Sequence, residues 1–329
     1  MLLIDQYARF CHIGLDFWKK HPYNKGECFL WWVNDTMFVD MFGKKRMKLG
    51  LHQHTTRSDG RLTPEALASL YRDAGYDAIA LTDHWIYGEA DTISGLPILP
   101  GAEYHVGVRD AGMGIYHIVC LFADRAPLLD CQSREDVTAQ EIIDAIHAVG
   151  GMAVLAHPAW SLNTPEGVRA LRGIDATEIY NTVSRNVSRE DASLLIDMYA
   201  ANGMCFPLFA ADDFHHGEPV GGIDPTAFIM VECDSVEPNA LKKAILEGRF
   251  YASTGPEIHF KREGDTFVVE CSPASVISFH SNCVVSRGRV VKGEGLTRAT
   301  YRCMPSETYV RASVTDSEGR MAWSRIIRI

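Results

Sequence analysis

KLGLHQHTTRSDG, residues 48–60, decides how the chain is read. The segment 48–51 is a short strand that runs straight into His52-Gln53-His54, and its loop closes on Ser58-Asp59-Gly60. Side chains of an extended segment alternate, so both imidazoles of an H-x-H triplet stand on one side and reach a single cation together. Thr63-Pro64-Glu65 then supplies a capping hydroxyl, a proline in the first helical position and an acid in the first turn. Leu67, Leu70, Tyr71 and Ala74 carry the apolar face of that helix as far as Gly75, and residues 77–81 (DAIAL) form the next strand.

The same alternation continues outward. Strands are expected at 97–102, 116–122, 152–156, 177–180, 206–210 and 227–231, with helices over 138–149 and 188–201. Repeated strand–helix units with continuously apolar strands argue for a largely parallel sheet covered by helices, closed or nearly closed as a barrel. The connection GVRDAGMG, residues 107–114, reads as a hairpin and not as a helical crossover, so the barrel is expected to be distorted. After YASTGP (251–256) only short strands follow: 268–269, 276–279, 284–285, 309–314 and 323–329, with DSEG (316–319) as a turn. That pattern predicts a β-sandwich domain over 255–329 behind an α/β domain over 48–254. The Trp-rich segment 1–47 is expected to pack on the barrel.

Composition fits this reading. The chain has 329 residues, 47% hydrophobic and 22% charged, which is ordinary for a globular protein. No apolar run approaches the length of a membrane span, and MLLIDQYARF lacks the layout of a secretory signal. Nine scattered cysteines without C-x-x-C spacing suit reduced thiols, and a cytoplasmic location is expected. Net charge is −10, arguing against a general nucleic-acid coat, while residues 255–329 carry 11 Lys/Arg against 8 Asp/Glu.

Groups able to bind metal recur after the strands: His52, His54 and Asp59, then His84, Glu103, His117, His157, Asp213 and His215. In a barrel such ends converge on one face. Six imidazoles with three carboxylates suit zinc, manganese or iron better than the all-oxygen shells of calcium or magnesium. Nine groups exceed one tetrahedral site and suit two or three cations sharing a carboxylate. No cysteine is among them, which argues against a structural zinc site.

HxHTxxSDG, TDH, GxE, the histidine of the fourth strand, AHP and DxH, in this order over roughly 48–250, resemble the PHP (polymerase and histidinol phosphatase) family. The resemblance implies a distorted (β/α)7 TIM-like barrel with a di- or trinuclear metal centre. It implies that His52, His54, Glu103 and Asp213 hold one metal, that bridging Glu103 joins His117 and His157 on a second, and that Asp59, His84 and His215 hold a third. Some relatives carry histidine where this chain has Asp59. The GRFYASTGPEI junction and the β-domain look like a subgroup of metal-dependent phosphoesterases; some relatives hydrolyse carbamate esters.

The expected function is therefore hydrolysis of a small phosphate ester by metal-activated hydroxide, with no membrane or nucleic-acid partner. Arg57, Asn181 and Arg185 are the candidate substrate contacts, the arginines because a guanidinium holds phosphate bidentately. Asp83 either orients His84 or caps the next turn, and Asp212 is expected to be a supporting residue. His105 and His216 fall outside the motifs, and His12, His21, His147, His259 and His280 are expected to be structural. The rival readings are a carboxyl or carbamate ester hydrolase, which the motifs do not separate from a phosphoesterase, and a non-catalytic metal-binding regulatory module.

Overall fold

The protein is described by a computed structural model covering residues 38–107, 114–129, 136–215 and 225–329. The expected packing of segment 1–47 lies, up to residue 37, outside these residues, as do His12, His21 and His216. Strands β1 (Phe38–Val39), β2 (Lys45–Gly50), β3 (Ala78–Ala80), β4 (Asp91–Ile93), β5 (Leu96–Leu99), β6 (Gly101–Val106) and β7 (Tyr116–Leu121) form the first half, with helix α1 over Pro64–Asp73. Then come α2 (Ala139–Ala148), β8 (Met152–Leu155), α3 (Pro165–Ala170), β9 (Ala176–Asn181), α4 (Ser193–Ala201), β10 (Leu208–Ala211), β11 (Phe228–Val231), α5 (Pro238–Leu246) and β12 (Phe250–Ser253). The remainder is all strand: β13 (Ile258–Glu263), β14 (Thr266–His280), β15 (Val290–Arg302), β16 (Tyr309–Thr315), β17 (Met321–Trp323) and β18 (Ile327–Arg328).

Helix starts follow the local chemistry read from the sequence. Thr63 caps α1 by accepting from the Ala66 amide with Pro64 at the first position, and Thr138 and Glu141 close a reciprocal capping box on α2. The helix expected over 188–201 begins only at Ser193 as α4; Ser188, with a left-handed φ of 55°, closes a separate 3-10 turn over Val183–Val187.

Among the described residues the hydrogen-bonded ladders form two sheets and not one closed barrel. One runs β10-β9-β8-β7-β6; the other runs from β13 through β14, β16, β17, β12, β11 and β2 to β3, β5 and β4. Among the described strands, only β2–β3–β5 and β8–β9–β10 pair in parallel, and β6–β7 is antiparallel, the pairing a hairpin connection calls for. The expected third strand breaks at Pro100, which has no amide hydrogen to continue a ladder, so β5 ends in one sheet and β6 begins in the other. Between the sheets lie isolated bridges, His84 to Glu103 and Gln53 to Phe214. The seams therefore fall on the residues singled out above.

The main core joins Leu49, Ile118, Val154, Ile179, Leu208, Ile229 and Trp323, all buried from water. A second core of Phe260, Phe267, Ile277, Phe279 and Tyr301 also takes in Met230 of β11 and Tyr251 of β12. Ala252 and Ser253 pair with Trp323 and Ala322, so one sheet runs on into the C-terminal strands. The strand expected at 284–285 does not form: Val284 and Val285 are 96% and 84% exposed in the connection between β14 and β15. The two pieces expected at 268–269 and 276–279 are one strand, β14, interrupted near Pro273 by a shift of register.

Arg311 of β16 is fully buried and donates to both carboxylate oxygens of Asp197 on α4, at 2.7 and 2.8 Å. Burial alone would raise the Asp197 carboxyl, but His280 and Arg311 outweigh it and hold it at about 2, below the ordinary 3.8. A depressed carboxyl stabilises the fold above its unfolded value and loses that contribution as pH falls through its folded value. Urea midpoints of the wild type should therefore fall between about pH 4 and 2, and Asp197→Asn should flatten that fall at the cost of lower stability at pH 7. Parallel pH profiles for the two proteins would refute the assignment.

Candidate metal centre

Strand ends place the motif residues as a set. His52 and His54 follow β2, His84 follows β3, and Glu103 lies inside β6 with His117 on neighbouring β7. His157 stands two residues past β8, and Asp213 and His215 just past β10. His157 (φ 25°) and Asp213 (φ 52°) both adopt left-handed backbone, which costs non-glycine residues of order 1–3 kcal/mol each. Gly60 is required for packing: a Cβ there would lie 2.3 Å from the His54 carbonyl oxygen.

Three overlapping groups of ligand atoms result: His52, His54, Glu103 and Asp213; His84, Glu103 and His117; and His54, Asp59, His84 and His215. In the first, the Nε2 atoms of His52 and His54 lie 3.3 and 3.1 Å from Glu103 Oε2, and 3.3 and 3.2 Å from Asp213 Oδ1. These residues are buried, yet His52 Nε2, His54 Nε2 and Asp213 Oδ1 have no hydrogen-bond partner. A tetrahedral ion with ligands at about 2.0–2.1 Å would separate them by about 3.3–3.4 Å, which these four nitrogen–oxygen distances approach.

Glu103 divides its two oxygens. Oε2 faces His52 and His54, with His84 Nδ1 at 3.1 Å, while Oε1 accepts from His117 Nδ1 at 2.8 Å and lies 3.3 Å from His157 Nε2. That is the disposition of a bridging carboxylate. Asp59, whose side chain is 54% exposed, stands 3.5–3.6 Å from His54, His84 and His215 at the open side.

Burial opposes charge throughout, and opposite charges overcome it. Asp213, Glu103 and Glu178 hold His52 well above the ordinary imidazole value, and the carboxylates of Asp213 and Glu103 beside its Nε2 bring His54 to about 9. In return, His52 and His117 hold Glu103 far below the usual carboxylate range, and His52 and His54 do the same for Asp213. Burial dominates at His84, which falls to about 4.

Supporting residues sort differently from expectation. Asp83 neither orients His84 nor simply caps the next turn: it accepts from the amide and hydroxyl of Thr55 and the hydroxyl of Ser58, fixing the loop behind His54. Asp212 is taken up by Thr182, Tyr71 and the Ala227 amide. His105 packs on His117 and reaches His84 Nδ1 at 3.2 Å, nearer the centre than its place outside the motifs suggested. His147 pairs with Asp175, and His280 with Ser313 and Asp197.

The candidate substrate contacts are not drawn into the pocket. A cavity of about 280 Å3 is lined by seven of the nine candidate ligands, all but His52 and His54, together with Trp160, Val183, Ser184 and Asn186. Arg57 is exposed and outside this lining; Arg185 donates to the Tyr180 hydroxyl and covers its ring. Asn181 is buried, donating to Glu178 at 2.8 Å and to Asp213 Oδ2 at 3.2 Å. Trp160, 37% exposed, stands edge-on to His157 and His117 with centroids at 5.0 and 5.6 Å. Glu178 was missed; its signal was a lone acid in the otherwise uncharged strand ATEIYN.

No family model matches the chain, and no curated protein does. Among solved structures it is similar to a two-domain protein from Bacteroides vulgatus containing a predicted PHP-like metal-dependent phosphoesterase. Identity is 16%, with a TM-score of 0.50 over 89% of this chain and 97% of that one. It is also similar to an amidohydrolase from Chromobacterium violaceum with bound sulfate and no metal, at 19% identity, covering 54% of this chain and 89% of that one with a TM-score of 0.41. The first likeness identifies the fold as that of a PHP-like structure, a mixed α/β arrangement rich in strands. Among the described residues, no helix is long and apolar enough to cross a membrane.

Because His52 and His54 are held protonated by their carboxylates, a cation entering the first group must displace protons. Affinity should therefore fall as pH drops below about 9. Calorimetric titration of Zn²⁺ at pH 7 in buffers of different ionisation enthalpy should report at least about one proton released per ion. Buffer-independent heats would contradict this electrostatic picture.

Proposed function

We propose that the protein is a PHP-type metal-dependent phosphoesterase, with residues 48–254 as its hydrolase domain and 255–329 as an accessory β-domain. The observation that carries the reading is the sharing of Glu103, which itself lines the cavity, between two groups of ligands. His52, His54, Glu103 and Asp213 would hold one cation; Glu103, His117 and His157 a second; and Asp59, His84 and His215 a third. Divalent zinc, manganese or iron held there supplies Lewis acidity and lowers the pKa of water towards neutrality.

The chain's own residues do the rest. Several cations along one wall suit a phosphate, whose non-bridging oxygens all need neutralising, better than a carbonyl with a single developing oxyanion. The described lining contains no lysine or arginine, so neutralisation falls on this wall. Trp160 and Val183 offer apolar surface for the organic part of a small ester. A serine-nucleophile route finds little support: Ser184 donates to Asn181 Oδ1, and Ser161, 3.1 Å from His157 Nδ1, lies outside the lining. A cytoplasmic location belongs to the same proposal, supported by six described cysteines that are all free.

The test is nitrophenol release by Mn²⁺- or Zn²⁺-loaded protein from matched phosphate monoester, phosphodiester, acetate and carbamate esters. Turnover confined to the phosphates, abolished by chelator and reduced below about 1% in His157→Ala or Asp213→Ala, is expected. Turnover confined to the carbon esters would move the protein to the rival hydrolase reading, and full activity in either variant would remove the centre from the chemistry.

A further inference from the structure

Glu178 sits at the back of the centre and is in none of the three ligand groups. It is 2% exposed, and its oxygens do separate work. Oε1 accepts from His52 Nδ1 at 2.7 Å; Oε2 accepts from the His157 amide and from Asn181 Nδ2, both at 2.8 Å. Asn181 passes the contact on to Asp213 Oδ2, and its own oxygen accepts from the amide and hydroxyl of Ser184. One carboxylate therefore touches His52, holds the backbone of His157 where φ is 25°, and reaches Asp213 through a single amide.

We infer that Glu178 is the positioning residue of the first metal site: it fixes the proton of His52 on Nδ1 and so presents the Nε2 lone pair to the cation. A carboxylate facing a ring nitrogen at 2.7 Å accepts, which leaves Nε2 as the free donor atom. Nε2 is the orphaned atom that points at Glu103 Oε2 and Asp213 Oδ1. The inference rests on the metal-centre reading but not on the identity of the ester.

The isosteric variant Glu178→Gln separates orientation from packing. A glutamine has one acceptor oxygen, and two N–H donors converge on the position of Oε2. The amide oxygen therefore goes there, and its NH2 faces His52 Nδ1. His52 must then accept at Nδ1 and carry its proton on Nε2, which removes the lone pair from the site. Zn²⁺ affinity, measured by competition with a chromophoric chelator, should fall about 10–100-fold in Glu178→Gln, with the thermal melt of the metal-free protein little changed.

Combining Glu178→Gln with His52→Ala should cost no more affinity than His52→Ala alone, whereas combining it with His215→Ala should give additive losses. Wild-type Zn²⁺ affinity in a folded Glu178→Gln protein would overturn the assignment, as would additivity with His52→Ala. Imidazole nitrogen NMR of the zinc-loaded wild type gives the same answer without any variant. A His52 ring protonated at Nδ1 and metal-bound at Nε2 is expected, and the opposite arrangement would overturn it. Failure to hydrolyse phosphate esters alongside an intact Glu178 effect would count against the phosphoesterase reading alone.

Discussion

Two buried carboxylates, Glu103 and Asp213, stand within 3.3 Å of the same pair of imidazole nitrogens, and much of the site follows from that arrangement. Buried charges of one sign are untenable unless compensated. Here the compensation comes from imidazoles driven to hold protons, and the orphaned ligand atoms are placed so that a cation could take the protons' place. Each ligand is in turn held from behind: His52 by Glu178, His157 by Ser161 and the Glu178 contact to its amide, Asp213 by Asn181 and His215.

The fold serves this cluster by leaving its seams there. A barrel closed by continuous ladders would direct backbone groups to one another at the positions of Gln53, His84, Glu103 and Phe214. Instead, single bridges join the sheets at those residues, and left-handed turns at His157 and Asp213 bring two side chains inward. Such strained conformations persist only where the surroundings enforce them, and hydrogen bonds between distant parts of the chain, such as Asp213 N to His52 O, do so.

Much of the site was legible because it is written as local motifs at strand ends. H-x-H places two nitrogens on one side by strand geometry alone, and His52 and His54 meet the same oxygen of Asp213. The antiparallel pairing of β6 with β7 and the caps at Thr63 and Thr138 were legible for the same reason. What escaped was whatever depends on tertiary approach. Arg57 and Arg185 have the right chemistry for phosphate, yet the fold leaves one exposed and lays the other on Tyr180. Glu178 and Trp160 carry no motif and become visible only when β9 and the turn after β8 face the cluster. The break at Pro100 and the bulge near Pro273 explain why one expected strand became two, and two became one.

The most direct measurement is the metal content of purified protein after loading with Zn²⁺ or Mn²⁺ and desalting, by elemental analysis, for the wild type and Glu103→Ala. A shared carboxylate at the heart of a multinuclear centre predicts about two to three ions per chain in the wild type and at least about one fewer in the variant. At most one ion in the wild type, or equal content in both proteins, would contradict it.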